Sequence, residues 1–387
     1  MRSSTSDSSS NQSGASSRPV ASERVFSVLL LLFSAIPAVG LGFNLDIENR
    51  ISENRTLAAF PSLGQEPVDA WPKKLEDYYN DHFGFRSLLV RLHNYAYVKE
   101  MGISPDPMVV MGREDSYFLA EHVAIFQRGK FSEQELQEWI GLFRKNAAEA
   151  ARDGAKYYLA LVPATPTIYP EYIPEDLKGP DYPSLLDQFI AKAREEGLAV
   201  IDVRAELRDA RQKAQVHFKT DYHWTDYGAF VAYSKIAQEI KKDFPQLNPL
   251  KMSDLRSEPF VLNSTFITLL LGLDGLITED AARYVVKEPS QVQIEERVPS
   301  AFGYFGATQI TVNPKVDPEI TAALVGDSFT EAPYPYFKES FSRLTYFLTG
   351  GSQIDSAVLA REKPQIVIQM LVESKLGWSA KDLADKH

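Results

Sequence analysis

Thr321-Ala-Ala-Leu-Val-Gly-Asp-Ser-Phe-Thr330 is an apolar run that stops at Gly326-Asp327-Ser328. It reads as a buried strand ending in a sharp turn, where a small residue lets the backbone bend and a hydroxyl stands at the strand's C-terminal edge. Open α/β sheets place their ligands at that edge. Ser328 is therefore a candidate nucleophile. The plainer reading is a strand-to-helix turn with Asp327 or Ser328 as an N-cap.

Its natural complement lies earlier, at Thr220-Asp221-Tyr222-His223-Trp224. A serine hydroxyl needs a base, and a histidine base needs its second ring nitrogen held by a carboxylate. Side chains two residues apart on an extended loop point the same way, so Asp221 can hold the His223 ring directly. Thr225 reads as the N-cap of a helix with Ala229, Tyr233, Ile236, Ala237 and Ile240 on its apolar face, which leaves His223 on the loop before it. A surface ion pair or a metal site competes with this reading. Metal is disfavoured, because the chain has six histidines and no cysteine, and only His217 stands at ligand spacing to His223. Tyr222, Trp224 and Tyr227 form an aromatic collar suited to desolvating the histidine or stacking on a sugar. Trp224 fits a place in the core equally well.

Outward from these stretches, helical and strand patterns alternate. Ser132-x-x-Glu135 is a capping box before Leu136, Trp139, Ile140, Phe143 and Ala147, with Gly154 at the expected C-cap. Tyr157–Pro163 is a continuous apolar run, as in parallel strands covered on both faces, and Ala199-Val-Ile-Asp-Val203 and Ile366-Val-Ile-Gln-Met-Leu371 repeat the strand pattern. Helix–strand alternation of this kind predicts a layered α/β fold with a mainly parallel sheet. Residues 285–313 alternate weakly and read as an antiparallel insertion, and Val109–Gly112 with Tyr117–Leu119 as a hairpin.

The chain has 387 residues, 44% hydrophobic, with a net charge of −11 and no cysteine. Disulfides, cysteine nucleophiles and cysteine-held metals are excluded. Nucleic acid is not an expected partner, since no basic stripe is present. Residues 1–24 are Ser-rich and read as a disordered cytoplasmic tail. Val25–Phe43 carries no charged side chain and reads as one transmembrane signal anchor, oriented by Arg18 and Arg24 before it and Asp46, Glu48 and Glu53 after it. A signal cleaved near Ala38-Val39-Gly40 is the alternative. Residues 44–105 read as a stalk and helical segment, and 106–380 as the catalytic domain, which this orientation puts outside the plasma (inner) membrane, in the periplasm.

The stretches Thr220-Asp-Tyr-His-Trp224 with Gly228-Ala229, and Val325-Gly-Asp-Ser-Phe329, resemble the signatures of the SGNH-like O-acetyltransferases of the alginate acetylation type, the DHHW family. Glu53-Asn-Arg55, Tyr79-Asn-Asp-His-Phe-Gly-Phe-Arg86 and Tyr169-Pro-Glu-Tyr-Ile-Pro174 are similar to further blocks of that family, in order and approximate spacing. Tyr222 stands where the family more often has Thr or Ser. The resemblance implies a circularly permuted SGNH-hydrolase-like three-layer fold, with Asp-x-His preceding the serine, and a catalytic triad of Asp221, His223 and Ser328. It also implies O-acetylation of an exported polysaccharide through an acetyl-enzyme, without metal or soluble cofactor. A membrane-bound O-acyltransferase would then relay the acetyl group across the inner membrane. Two other readings stand beside it: an SGNH-type carbohydrate acetylesterase, and a non-catalytic scaffold or binding subunit of an exopolysaccharide complex.

Overall fold

The computed structural model describes residues 25–31, 35, 39, 57–62, 67–179, 183–299, 307–350 and 354–380. The chain divides into two units, residues 1–93 and 94–387. Of the expected span Val25–Phe43, residues 25–31, 35 and 39 are described and are helical, and the rest lies outside the described residues. No described helix is long and apolar enough to cross a membrane. Within the first unit, Trp71–His82 is a helix whose Tyr78 stacks on His82 and meets Phe60 edge-on.

The second unit is built on strands. β1 (Val109–Met111) and β2 (Tyr117–Leu119) pair as the expected hairpin, and β3 (Lys156–Val162) and β4 (Val200–Asp202) follow. β5 (Leu255–Leu262) and β6 (Glu279–Val286) form a second antiparallel hairpin. Then come β7 (Gln293–Pro299), β8 (Ala307–Val312), β9 (Thr321–Gly326), β10 (Arg343–Leu348) and β11 (Ile366–Val372). The main sheet is 7-stranded, in the order β4-β3-β11-β9-β10-β8-β7. Strands β4 to β10 of that order run parallel, and β8 and β7 add antiparallel at one side. The mixed sheet agrees with the mainly parallel expectation, and β7 and β8 are the antiparallel insertion.

Alternation along β3 explains the layering. Tyr158, Ala160 and Val162 enter one core cluster with Phe230, Tyr233 and Ile236 of the helix Asp226–Asp243. Tyr157, Leu159 and Leu161 enter the other, with Trp139 and Phe143 of the helix Glu133–Arg152 and Phe189 of Leu185–Glu195. Both faces of the sheet are thus covered, which is why the central strands read as predominantly apolar runs. Leu324 and Ile368 are fully buried, and each such side chain contributes roughly 1.5–3 kcal/mol of transfer free energy. Ser132 closes its capping box with Glu135, and Gly154 takes a left-handed φ of 85° just past the helix end.

At the sheet's flanks β4 has only three residues, and β7 carries Glu295, Glu296 and Arg297, a register shift between Ile294 and Glu296, and Pro299.

Candidate active site

The parallel strands all point their C-terminal ends at one edge, and β9 delivers Gly326-Asp327-Ser328 there. The turn is tight. A Cβ on Gly326 would lie 2.1 Å from Thr330 Cγ2, so only glycine fits. Asp327 is the N-cap of the short turn Ser328–Thr330, with Oδ1 accepting the Phe329 N–H at 3.0 Å and Oδ2 accepting the Val372 N–H at 3.3 Å. Its carboxylate therefore ties the end of β9 to the end of β11. Burial pushes that carboxyl above its ordinary value. Thr330 Oγ1 donates to the Asp327 carbonyl at 2.6 Å and closes the turn from the other side.

Asp221 and His223 arrive from the loop before the helix Asp226–Asp243. Thr225 is the N-cap, accepting the Gly228 N–H at 3.1 Å and donating to the Gln215 carbonyl at 2.7 Å. The loop closes on itself through a bridge between His217 and Trp224 and through the Phe218 N–H to the His223 carbonyl at 3.1 Å. Glu279 on β6 clamps it from outside, accepting the Thr220 N–H at 2.9 Å, the Thr220 hydroxyl at 2.7 Å and the Lys219 N–H at 3.0 Å.

In this frame Asp221 Oδ1 accepts the His223 N–H at 2.8 Å and lies 2.6 Å from His223 Nδ1. His223 Nε2 lies 2.8 Å from Ser328 Oγ. The three candidate residues form one continuous relay. The Tyr222 ring lies 4.0 Å from that of His223, and burial, with Asp221 beside it, pushes its pKa up to about 12, so the phenol stays protonated and able to donate.

Ser328 opens into a cavity of about 440 Å3 with Tyr222, His122, Phe266, Lys375 and Trp378 in its wall. Trp224 is not among them. It is 1% exposed and packs edge-on against Phe329 at 5.6 Å, so the sugar-stacking expectation is corrected: a side chain that closes the loop onto the core has no face left for a ligand. Tyr227 packs on Tyr284 at 5.6 Å, also outside this cavity. Sequence reading did not single out His122, Phe266 or Glu279. His122 meets Tyr222 edge-on at 5.5 Å, and burial holds its pKa down at about 3, so its ring is neutral. Phe266 meets Tyr222 at 6.0 Å. Each comes from a segment far from the two signature stretches, and nothing in its local pattern points to the site. Among the described residues, no group of three or more histidine or carboxylate side chains is placed to hold a metal ion.

The mixed sheet and the edge site are those of an SGNH-hydrolase-like α/β domain. A family model described as "SGNH hydrolase-like domain, acetyltransferase AlgX" matches residues 109–345, and the chain belongs to that family. It is 26% identical over 266 residues to the probable alginate O-acetylase AlgJ of Pseudomonas syringae pv. tomato, covering 68% of this chain and 64% of that protein. It is 29% identical over 236 residues to the protein of the same name from Pseudomonas aeruginosa, covering 59% of this chain and 56% of that one. The match thus spans under two thirds of the length of these relatives. Among solved structures, the O-acetyltransferase domain of Pseudomonas putida AlgJ aligns with a TM-score of 0.48 at 22% identity, over 72% of this chain and 99% of that one.

Proposed function

We propose that this chain is an O-acetyltransferase that moves acetyl groups onto hydroxyls of an exported polysaccharide through an acetyl-Ser328 intermediate. The observation that carries the reading is the unbroken relay, 2.6 Å from Asp221 to His223 and 2.8 Å from His223 to Ser328. His223 Nε2 takes the Ser328 Oγ proton as Oγ attacks the acetyl carbonyl. The donor's oxygen then leaves with that proton, and acetyl-Ser328 remains. A sugar hydroxyl next attacks the ester while His223 takes its proton, and Ser328 Oγ leaves and is reprotonated. Asp221 keeps the ring oriented and steadies its positive charge in both halves. In this reading the Ser328 N–H and the Tyr222 hydroxyl donate to the developing oxyanion.

The family membership and the relatives named alginate O-acetylases support acetyl transfer to an anionic exopolysaccharide as the class of reaction. The uncharged run Val25–Phe43 supports a single-pass anchor in the inner membrane with the site on the periplasmic side. Acetyl-coenzyme A stays in the cytoplasm, so a membrane-bound O-acyltransferase is the partner that would hand the acetyl group to Ser328.

The test is to incubate the full chain with a chromogenic acetyl ester and a panel of oligosaccharides, following free acetate and acetylated sugar by mass spectrometry. Acetylated oligosaccharide, lost in Ser328→Ala, is the expected result. Acetate release that no acceptor diverts would make the protein an acetylesterase and end the transferase reading.

A further inference from the structure

A second cavity, of about 190 Å3, lies on the other side of the loop that carries the relay. Phe218 and Lys219 face it, whereas Tyr222 and the neighbouring Ser328 face the first. Thr165, in its wall, donates a hydrogen bond to the Tyr222 carbonyl at 3.3 Å, so the two cavities share one partition. Its lining includes Arg211, Lys213 and Lys219 and no carboxylate.

The cations are held in place by aromatic rings. Tyr169 and Tyr172 stack at 5.4 Å with planes 6° apart, the Arg211 guanidinium sits 5.1 Å from the Tyr169 ring centre, and the Lys219 ammonium sits 5.1 Å from that of Tyr172. A protein that fixes cations in this way prepays the side-chain entropy of binding an anion. Arg211 also bonds the Ile168 carbonyl and pairs with Glu171, while Lys219 bonds the Glu114 carbonyl at 3.0 Å and pairs with its carboxylate at 3.7 Å. Glu114 and Glu171 are well exposed and do not line the cavity.

Two buried polar groups in the wall lack a well-formed hydrogen bond. Ser116 is 2% exposed with its Oγ unpaired, and His217 is 1% exposed, its ring turned toward the Pro163 carbonyl without either nitrogen closing a hydrogen bond. Buried polar groups are normally satisfied, so an oxygen-rich ligand that settles against this wall offers these two the partners they lack. The volume suits one sugar ring. With the tyrosine faces already covered, recognition here works through charge and hydrogen bonds rather than stacking.

We infer that this cavity binds a carboxylated sugar unit of the acceptor polymer, holding the chain while a different unit is presented to Ser328. The assignment rests on the reading of the acceptor as a polysaccharide, but binding is measured without turnover. In the full chain carrying Ser328→Ala, a tetrasaccharide of uronic acid, the neutral hexose tetrasaccharide and inorganic phosphate are each titrated by calorimetry at low salt. Uronate binding at least tenfold tighter than either other probe is expected. Adding Lys213→Gln or Ser116→Ala should weaken it at least tenfold at an unchanged thermal midpoint, while Lys241→Gln, an exposed charge control on another helix, leaves it intact. Equal binding of the neutral sugar or of phosphate overturns the assignment, and so does uronate binding that neither cavity variant reduces. A chain that binds uronate here yet fails to acetylate would overturn the proposed reaction alone.

Discussion

Glu279 holds Thr220 by both of that residue's donors, its N–H at 2.9 Å and its hydroxyl at 2.7 Å, and so fixes the residue next to Asp221. Glu279 belongs to a hairpin outside the main sheet. Hydrogen bonds to a charged group contribute about 1.5–3 kcal/mol each, less when partly exposed. Glu279→Ala should therefore lower unfolding free energy by roughly 2–4 kcal/mol and also lower kcat, because Asp221 loses its footing. Urea unfolding alongside ester turnover reads both, and a stability loss with intact kcat would confine Glu279 to a scaffolding role.

Asp221 accepts from both the backbone and the ring of His223, so its charge and its shape are separable. Asp221→Asn keeps the size but offers the ring an amide. Turnover should fall by about 10⁴, against roughly a millionfold for Ser328→Ala, with the fold retained in both. Single-turnover acetylation followed by mass spectrometry distinguishes the two.

Tyr222 is a departure from the family pattern that places a phenol beside the His223 ring, in the wall of the cavity that Ser328 also lines. If its hydroxyl meets the oxyanion, Tyr222→Phe should reduce kcat by about 100-fold with little change in KM. A rate equal to the parent's would remove Tyr222 from the chemistry and leave it as cavity wall.

Burial holds His122 and His217 at about 3, well below the usual 6.5. The unfolded chain takes up these protons as pH falls from 6.5 toward 3 and the folded chain does not. Their stabilising contribution is thus complete above pH 6.5 and drains away through that window, at up to about 1.4 kcal/mol per pH unit for each histidine. Burial raises Asp327 and Glu373, which pull the other way in the carboxylate range. Comparing the parent with His122→Phe and His217→Phe between pH 6.5 and 5 isolates the histidines, and each variant should show a flatter pH dependence.

The central strands and their covering helices were legible because burial on both faces writes a mostly apolar run, unbroken at Tyr157–Val162 and interrupted only by Gln369 in Ile366–Leu371. The relay was legible because its three members lie in two short stretches whose chemistry is complementary. β5 was not, since Arg256, Glu258 and Pro259 interrupt any strand pattern in a hairpin with almost no buried residue. β10 also escaped notice, its short run Leu344–Leu348 being too brief to tell strand from buried helix. Trp224 shows the limit at the site itself: an aromatic beside a candidate histidine serves a ligand or the core, and only the packing against Phe329 decides.

The two flanks of the main sheet end differently but to one effect. β4 stops after three residues, and β7 presents charges, a register slip and a proline. An open sheet edge is a template on which a second copy can lay its own strand, and each of these features denies it a straight, uncharged row of free backbone groups. The domain is protected from fibre-like growth by the same short insertion that completes its sheet, so its copies can be crowded together without zipping strand to strand.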